Sequence, residues 1–456
     1  MVNDDHLPHK GAAVEREPFI EGHMKADDLD GPPPNDRYRI VYWIIVLHGI
    51  GALMPWNMLI SIAPQYYMDY KLVPEGTNVT KPDYAVNFFS YLGFFSQLPN
   101  LLLNLMNLFI VVKGSLTPRI VISLLLVGAS VIFTISFIFV NTSTWTLGFF
   151  IMTMASVVVL NSANGIYQNS VYGLVADFPV HFTNAVILGN NVCGIFVTLL
   201  LIITTIYTSD VEWSAFYFFL IALTIVVGCL VSFLLLPKSR FYRYYTKKGL
   251  KLREVGNNGE SEKVTLSLFY GVFKEAWLSM LNVFLVFFVT LAVFPAVLTN
   301  TPLFPPGKDQ DFIIRLLHEK KIYVLVTTFL NFNVFAVIGN SIANLVQWPS
   351  PKYLWMVVFP RLFFIPIFLF CNYGGSNRSS TFPVLIENEW SFIVLIALMS
   401  LSHGYLSSLS MMYAPKAVDE SKARIAGMMS AFFLVLGITL GINFTFIESH
   451  IFVVTQ

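Results

Sequence analysis

The feature that most limits how this chain can fold is a series of eleven apolar stretches, each about as long as a membrane-spanning helix. A bilayer core about 30 Å thick needs about 20 apolar residues in a helix, and no water is available there to bind main-chain groups. The predicted spans cover residues 41–66, 86–112, 120–140, 146–172, 182–207, 213–236, 276–299, 322–348, 353–372, 390–413 and 425–447. The sequence therefore predicts an all-α polytopic membrane protein.

Composition and motifs exclude several other classes of protein. Charged residues make up 12% of the chain, whereas soluble domains average about 25%. The net charge of +1 provides no basic field that would attract a nucleic acid. The three cysteines lie singly inside apolar stretches, so we predict no disulfide, metal site or cofactor. We predict no catalytic residue either, since the spans contain no HExxH motif, embedded Asp pair or activated serine or cysteine.

Lysine and arginine residues predict which end of each span is cytoplasmic, because short cytoplasmic segments are enriched in them. With the N-terminus inside, cytoplasmic segments hold 20 of the 28 lysines and arginines. We therefore predict a disordered cytoplasmic tail over residues 1–40 and an extracellular C-terminus over residues 449–456. Asn78 then becomes a glycosylation site in the first outside loop. The plasma membrane is the expected location, with an endosomal or lysosomal membrane as the alternative.

A polar segment over residues 237–275 separates six predicted spans from five. We predict that it is a cytoplasmic linker loop between a six-helix bundle over residues 41–236 and a five-helix bundle over residues 276–448. Many transporters consist of two such halves around a site near the middle of the membrane, which opens to each side in turn. This organisation predicts a carrier that works by alternating access.

The positions of the acidic residues bear on the mechanism. All 27 lie outside the predicted spans or at their edges, where Asp177 and Glu448 come nearest to the membrane. Ionisable groups inside a bilayer are costly and usually functional, and ion-coupled carriers ordinarily have an embedded carboxylate. We therefore predict transport of a neutral solute down its own gradient. Coupling through main-chain carbonyls or His48 is the alternative.

Three predicted spans carry carboxamide side chains at helical spacing instead. They are Gln97, Asn100, Asn104 and Asn107 in the second span, Asn161, Asn164 and Gln168 in the fourth, and Asn333, Asn340 and Asn344 in the eighth. Spacings of three, four and seven residues place side chains on one face of a helix. Carboxamides donate and accept hydrogen bonds without charge, so the three stripes are suited to a neutral polar solute. Alternatively, they join neighbouring helices, as polar side chains in membranes often do.

Two further residues are candidates for function. Trp56 follows Pro55 in the first span, where Gly49 and Gly51 are expected to loosen or kink the helix. Its ring is suited to stacking on a planar solute, with helix packing as the alternative. Arg361 lies within the ninth span, and we assign it to a gate or to structure, because an embedded guanidinium binds carbonyls or extends to the surface.

Several segments together resemble the equilibrative nucleoside transporters (solute carrier family 29). The run from Leu47 to Asn57 (LHGIGALMPWN) resembles the first-span motif of that family, and the run from Asn161 to Leu174 (NSANGIYQNSVYGL) its fourth-span motif. Further matches are Phe241 to Tyr245, Phe294 to Val297, Trp348 and Pro349, Gly404 to Leu406, and Ala414 to Lys416. Each motif is short, but seven in the family's order over residues 37–448 make the resemblance specific.

The resemblance implies eleven spans, a fold like that of the major facilitator superfamily, and facilitated, bidirectional transport of purine and pyrimidine nucleosides. It implies that Trp56 and Gln168 line the central cavity, with Gln168 bound to the base, and that Phe294 and Asn333 line it too. Asn57 is expected to have a gating or structural role. Together with the stripes, the candidate substrate-binding residues are Trp56, Gln97, Asn100, Asn164, Gln168, Phe294, Asn333 and Asn340.

The sequence departs from the family most clearly in the eighth span. The family usually has an Asp and, four residues later, an Arg that hold the ribose hydroxyls, whereas this chain has Ala336 and Asn340. Gln97 and Asn100 replace apolar residues, and Asn164 replaces a Gly or Ser. We therefore expect altered affinity or selectivity. A carrier of nucleobases or of another neutral or cationic solute, and a non-transporting relative, are the alternatives, although a cationic solute would favour an embedded acid.

Overall fold

The computed structural model of this protein describes residues 33–75, 82–86, 88–111, 116–207, 210–256, 266–299, 301, 314–315, 317, 322–373 and 383–452. Most of the predicted disordered tail, the predicted glycosylation site Asn78 and the last four residues lie outside these ranges. Within them all regular structure is helical. The prediction of an all-α protein is confirmed.

Six long helices come from the first half of the chain. They are α1 (Ile40–Ala63), α2 (Phe88–Val111), α3 (Leu116–Ser136), α4 (Thr146–Val175), α5 (His181–Tyr207) and α6 (Val211–Leu235). Each begins and ends within a few residues of its predicted span. A π-helical segment, Pro64–Lys71, continues α1.

The segment predicted as a linker loop over residues 237–275 is more ordered than expected. It contains helix α7 (Arg240–Gly256) and the first turns of the next helix, so the prediction of a loop was wrong there. Phe241, Tyr242 and Gly249 are buried on one side of α7. Their spacing is that of an amphipathic helix, whose apolar face was masked by the polar composition of the segment.

Five helices follow in the second half of the chain. They are α8 (Leu266–Val293), α9 (Asn331–Leu345), α10 (Trp355–Leu369), α11 (Glu389–Lys416) and α12 (Ala423–Phe452). A π-helical segment, Leu325–Leu330, precedes α9 without a break.

Nine helices among the described residues are long and apolar enough to cross a membrane, and they are α1, α3 to α6, α8, α9, α11 and α12. Helix α2 is 24 residues long and carries the carboxamides that the sequence analysis identified in the second span. Helix α10 is shorter than the continuous span predicted over residues 353–372, and its middle, Phe359–Phe363, is a 3-10 helix. Pro360 and Pro366 explain this difference, because proline lacks the N–H that an α-helix needs.

Glycines allow the main chains of α1 and α5 to touch. A Cβ built on Gly49 would overlap the main-chain oxygen of Val186, and a Cβ on Gly189 would overlap that of Val46. Helix α1 runs unbroken through Pro55. Gly49 was expected to loosen or kink the helix, but it allows α1 to pack closely against α5 instead.

The two halves of the chain meet along two seams. Helix α12 packs against α2 and α4 along one seam, and α5 packs against α9 and α11 along the other. We call the side on which α1 begins the tail side, and the opposite side the far side. Helices α5 and α12 begin on the tail side, and α4 and α9 end there.

Candidate functional site

Helix α2 presents two buried acceptor oxygens to its surroundings. Oε1 of Gln97 and Oδ1 of Asn100 have no hydrogen-bond partner in the part of the chain that the structure describes. Asn100 lies against Gly165 of α4, where a Cβ would overlap its Oδ1. Asn104 is fully buried, and its Oδ1 accepts a hydrogen bond from Nδ2 of Asn169 at 2.8 Å. The described part of this stripe therefore contacts α4.

Helix α4 brings its own carboxamides to the same region. Asn164 and Gln168 are buried, and the residues that follow them, Gly165 and Asn169, are the ones that contact α2. Asn161 differs, because its Nδ2 donates to the main-chain oxygen of Val157 in its own helix at 3.0 Å. Asn164 and Gln168 thus lie one residue, or about 100° around the helix, from the face of α4 that contacts α2.

The stripe on α9 is divided among three neighbouring helices, since Nδ2 of Asn344 donates to the hydroxyl of Tyr42 in α1 at 3.4 Å. Asn333 lies against Gly194 of α5, where a Cβ would overlap its amide, and its Nδ2 donates to the main-chain oxygen of Phe329 at 2.9 Å. Asn340 is fully buried, and its Oδ1 accepts from Oγ of Ser408 in α11 at 2.7 Å. Asn333 therefore lies where the two halves meet, and Asn340 in a helix contact.

The predicted aromatic residues are distributed over both halves. Trp56 of α1 is partly buried against an apolar cluster of the first half. Asn57 beside it donates from Nδ2 to Sγ of Cys193 in α5 at 3.5 Å. Phe294 follows α8 directly and stacks on Phe332 of α9, with ring centroids 4.1 Å apart. Trp56 therefore packs within the first half, and Phe294 within the second.

Arg361 is buried and held by groups of the second half. Its Nη1 donates to the main-chain oxygen of Val286 at 3.1 Å, and its Nη2 to Oγ1 of Thr290 at 2.8 Å. Its Nε donates to Oγ of Ser402 at 3.2 Å. Arg361 therefore ties the proline-interrupted α10 to α8 and α11.

Five asparagines with buried amide atoms escaped the sequence analysis: Asn169 on α4, Asn184, Asn190 and Asn191 on α5, and Asn282 on α8. Asn169 lies one residue beyond the stripe on α4, so it faces another direction. On α5, Asn184 and Asn191 are seven residues apart and share a face of the helix, whereas Asn190 lies on another face. The number of asparagines in one predicted span is the signal that could have found those on α4 and α5, but Asn282 is the single asparagine of its span.

The tail side is closed by polar contacts between the two halves. Asp177, just after α4, pairs with Arg424 of α12 at 3.0 Å, and their side chains are 1% and 14% exposed. Gly249 of α7 lies over the Asp177 carboxylate, and the adjacent Lys248 pairs with Glu420 of the second half at 3.0 Å. Helix α7 thus contacts both halves where they meet.

Glu448 lies on α12, one residue beyond the last predicted span at residues 425–447. It is 2% exposed, and neither carboxylate oxygen has a hydrogen-bond partner among the described residues. Burial therefore raises the pKa of Glu448 to about 8.

Comparison with known proteins identifies relatives along most of the chain. Residues 154–450 match the family described as nucleoside transporter. Equilibrative nucleoside transporter 3 of Rattus norvegicus is 30% identical to this chain and covers 97% of it, with 97% of its own length matched. Equilibrative nucleoside transporter 2 of Homo sapiens is also 30% identical, over 91% of this chain and 98% of its own length.

Solved structures similar to this one show the fold alone. The human organic anion transporter MFSD10 (TETRAN) gives a TM-score of 0.53 with 15% identity, covering 92% of this chain and 94% of that one. The major facilitator superfamily proton:xylose symporter XylE gives 0.58 with 12% identity, covering 91% and 90%. The expectation of a fold like that of the major facilitator superfamily is confirmed.

Proposed function

This chain belongs to the equilibrative nucleoside transporter family, and from that premise we propose that it carries nucleosides across a membrane, in both directions and without ion coupling. The observation that carries the proposal is the rat relative, to which the similarity extends over 97% of both chains. The absence of an acidic residue from the middle of the predicted spans supports uncoupled transport.

The proposed architecture has eleven spans, in which α2 and α10 join the nine helices named above. Residues 41–236 form a six-helix bundle and residues 276–448 a five-helix bundle, and the two move against each other during alternating access. The tail side is cytoplasmic and the C-terminus extracellular, because lysines and arginines concentrate on the tail side. The plasma membrane is the proposed location, with a glycan on Asn78.

The proposed binding site lies between the two bundles. Trp56 stacks on the base of the nucleoside, and Gln168 forms hydrogen bonds with it. Gln97, Asn100 and Asn164 complete the polar wall on the first bundle, and Phe294 and Asn333 contribute from the second. The unpartnered oxygens of Gln97 and Asn100 support this assignment, because a buried acceptor without a partner costs about 1–3 kcal/mol, which a bound solute recovers.

Other candidate residues have supporting roles in this proposal. Asn57 and Arg361 hold helices together through their bonds to Cys193, Val286 and Thr290. Asn340 contributes at most its Nδ2 to the solute, since its Oδ1 is engaged by Ser408 and only Nδ2 is unpartnered within the described residues.

Uptake of labelled adenosine, uridine and hypoxanthine into proteoliposomes tests the proposed function. We expect both nucleosides to enter until their concentrations inside and outside are equal. Entry of hypoxanthine alone would favour a nucleobase carrier, and entry of none of the three would favour a non-transporting relative.

Gln168→Leu is expected to raise the KM for nucleosides about 2–10-fold, because it removes hydrogen bonds to the base while nearly preserving side-chain volume. The KM and maximal rate of uptake in proteoliposomes measure the effect. Thr153→Val is the matched control, since Thr153 is also buried on α4 and its hydroxyl donates to Phe149 of the same helix. Equal KM values for the two variants would contradict the assignment of Gln168.

Restoring the family's ion pair tests how the sugar is recognised. The double variant Ala336→Asp with Asn340→Arg is expected to favour ribosides over deoxyribosides by about tenfold or more, since each charge-assisted hydrogen bond contributes about 1.5–3 kcal/mol. Both positions are fully buried, so each single variant should fold poorly because it leaves an unpaired buried ion. Unchanged relative uptake of ribosides and deoxyribosides by a folded double variant would contradict the prediction.

A further inference from the structure

Two fully buried asparagines donate hydrogen bonds from the first half of the chain to the main chain of the second half. Nδ2 of Asn169 in α4 donates to the main-chain oxygen of Met428 in α12 at 3.0 Å. Nδ2 of Asn184 in α5 donates to the main-chain oxygen of Asn340 in α9 at 2.7 Å. Each of the two seams therefore carries one such bond.

A further carboxamide supports each of these donors. Nδ2 of Asn169 also donates to Oδ1 of Asn104 at 2.8 Å, so the amide bridges two helices of the first half and one of the second. Asn340, whose main chain accepts from Asn184, is itself fixed to α11 because its Oδ1 accepts from Ser408. Each bond across a seam therefore involves an asparagine that a further hydrogen bond holds in place.

Both bonds lie on the tail side. Asn169 is near the end of α4 and Met428 near the start of α12, whereas Asn184 is near the start of α5 and Asn340 near the end of α9. The main chains approach closely beside the first bond, since a Cβ built on Gly427 would lie 2.9 Å from the main-chain oxygen of Tyr172. When the tail side opens, these four residues must separate.

We propose that Asn169 and Asn184 are paired latches, one in each seam, that hold the tail side closed and so position the carrier with its site open to the far side. This inference rests on the proposed function, because a latch has a role only if the halves move during transport. The latches are neutral, and water replaces their bonds when the seams open.

Unpartnered amide atoms keep the latches weak enough to release. Nδ2 of Asn104, Oδ1 of Asn184 and Nδ2 of Asn340 have no hydrogen-bond partner among the described residues while the seams are closed. Hydration of these atoms on opening offsets part of the loss of each latch bond. Each latch is therefore expected to favour the closed state by a factor of about 2–10.

The distance between spin labels on the two sides of the α5–α9 seam tests the proposal. Cysteines introduced at His181 and Leu345 carry the labels in proteoliposomes, and Leu345 is 85% exposed. The native cysteines at 193, 229 and 371 are buried. Labelling of the unsubstituted protein measures how much spin label they take up. Asn184→Ala and Asn169→Ala are each expected to raise the ratio of long to short distances about fivefold, and the double variant more than about tenfold.

Two control variants separate a latch from a general loss of structure. Asn443→Ala removes an asparagine whose Nδ2 donates within α12 itself, to Thr439 at 2.7 Å. Met428→Leu changes the residue whose main chain accepts the latch bond, but leaves that oxygen in place. Both controls should give the same ratio of long to short distances as the unsubstituted protein. Asn184→Leu and Asn169→Leu, which retain the side-chain volume, replace any alanine variant that fails to fold.

The outcomes distinguish this inference from the proposed function. The inference would be overturned if both latch variants gave the same distances as Asn443→Ala. It would also be overturned if the distances changed in Asn184→Ala but not in Asn169→Ala. Nucleoside uptake is measured in the same proteoliposomes. If the unsubstituted protein transports but the distances do not change, the latches alone are wrong, whereas absence of uptake contradicts the proposed function itself.

Discussion

Gly189→Ala is expected to cost at least about 3 kcal/mol of stability and to leave little folded protein in the membrane. The added methyl group would overlap the main-chain oxygen of Val46 in α1 and lie 2.9 Å from Cα of Gly49. Neither atom belongs to a side chain that can rotate away, so α1 and α5 would have to separate. The yield of folded protein and its midpoint of thermal unfolding in detergent measure the loss.

Gly228→Ala is the matched control for this prediction, because a Cβ built on Gly228 in α6 meets no atom within 4 Å. Its unfolding midpoint should equal or slightly exceed that of the unsubstituted protein, since alanine favours a helix over glycine by about 1 kcal/mol. Equal midpoints for Gly189→Ala and Gly228→Ala would show that α1 and α5 do not touch through their main chains.

Asp177→Asn is expected to destabilise the tail-closed arrangement by about 3–5 kcal/mol, because it leaves the mostly buried guanidinium of Arg424 without its counter-charge. Protein open to the tail side should accumulate. The KM for nucleoside offered from the far side should then rise at least about tenfold, since only far-open protein binds solute from there. Initial rates of uptake over a range of nucleoside concentrations measure this KM.

An exposed ion pair provides the control for Asp177→Asn. Lys422 pairs with Glu275 at 3.0 Å within the second half, and Lys422→Met should cost less than about 1 kcal/mol. Exchanging the charges with Asp177→Arg and Arg424→Asp should restore part of the lost affinity. The same KM in Asp177→Asn and Lys422→Met would mean that the buried pair does not hold the tail side closed.

The long helices could be predicted from the sequence because the thickness of a bilayer fixes how many apolar residues a span needs. Helix α7 could not, since its burial depends on neighbours such as Asp177, which covers Gly249 but is distant in the chain. The course of α10 was also missed, because apolar composition does not show where Pro360 and Pro366 interrupt the hydrogen bonds of a helix.

The candidate site was predictable in its residue types and less so in its contacts. Helical spacing placed Asn100 and Asn104 on one face, and the structure shows that this face contacts α4. Spacing did not indicate that Asn340 turns to Ser408, nor that Asn184 reaches a main-chain oxygen 156 residues away. Those contacts follow from how the two halves meet, which no local pattern contains.

We propose that this chain moves a neutral nucleoside down its own gradient. The most direct test is the final ratio of labelled adenosine inside and outside proteoliposomes, measured without an ion gradient and then with an imposed proton or Na⁺ gradient. We expect the protein to speed entry and the ratio to reach one in every case, because no acidic residue lies in the middle of a predicted span. Accumulation above that ratio under either gradient would contradict uncoupled transport, and failure of adenosine to enter would contradict transport of this nucleoside.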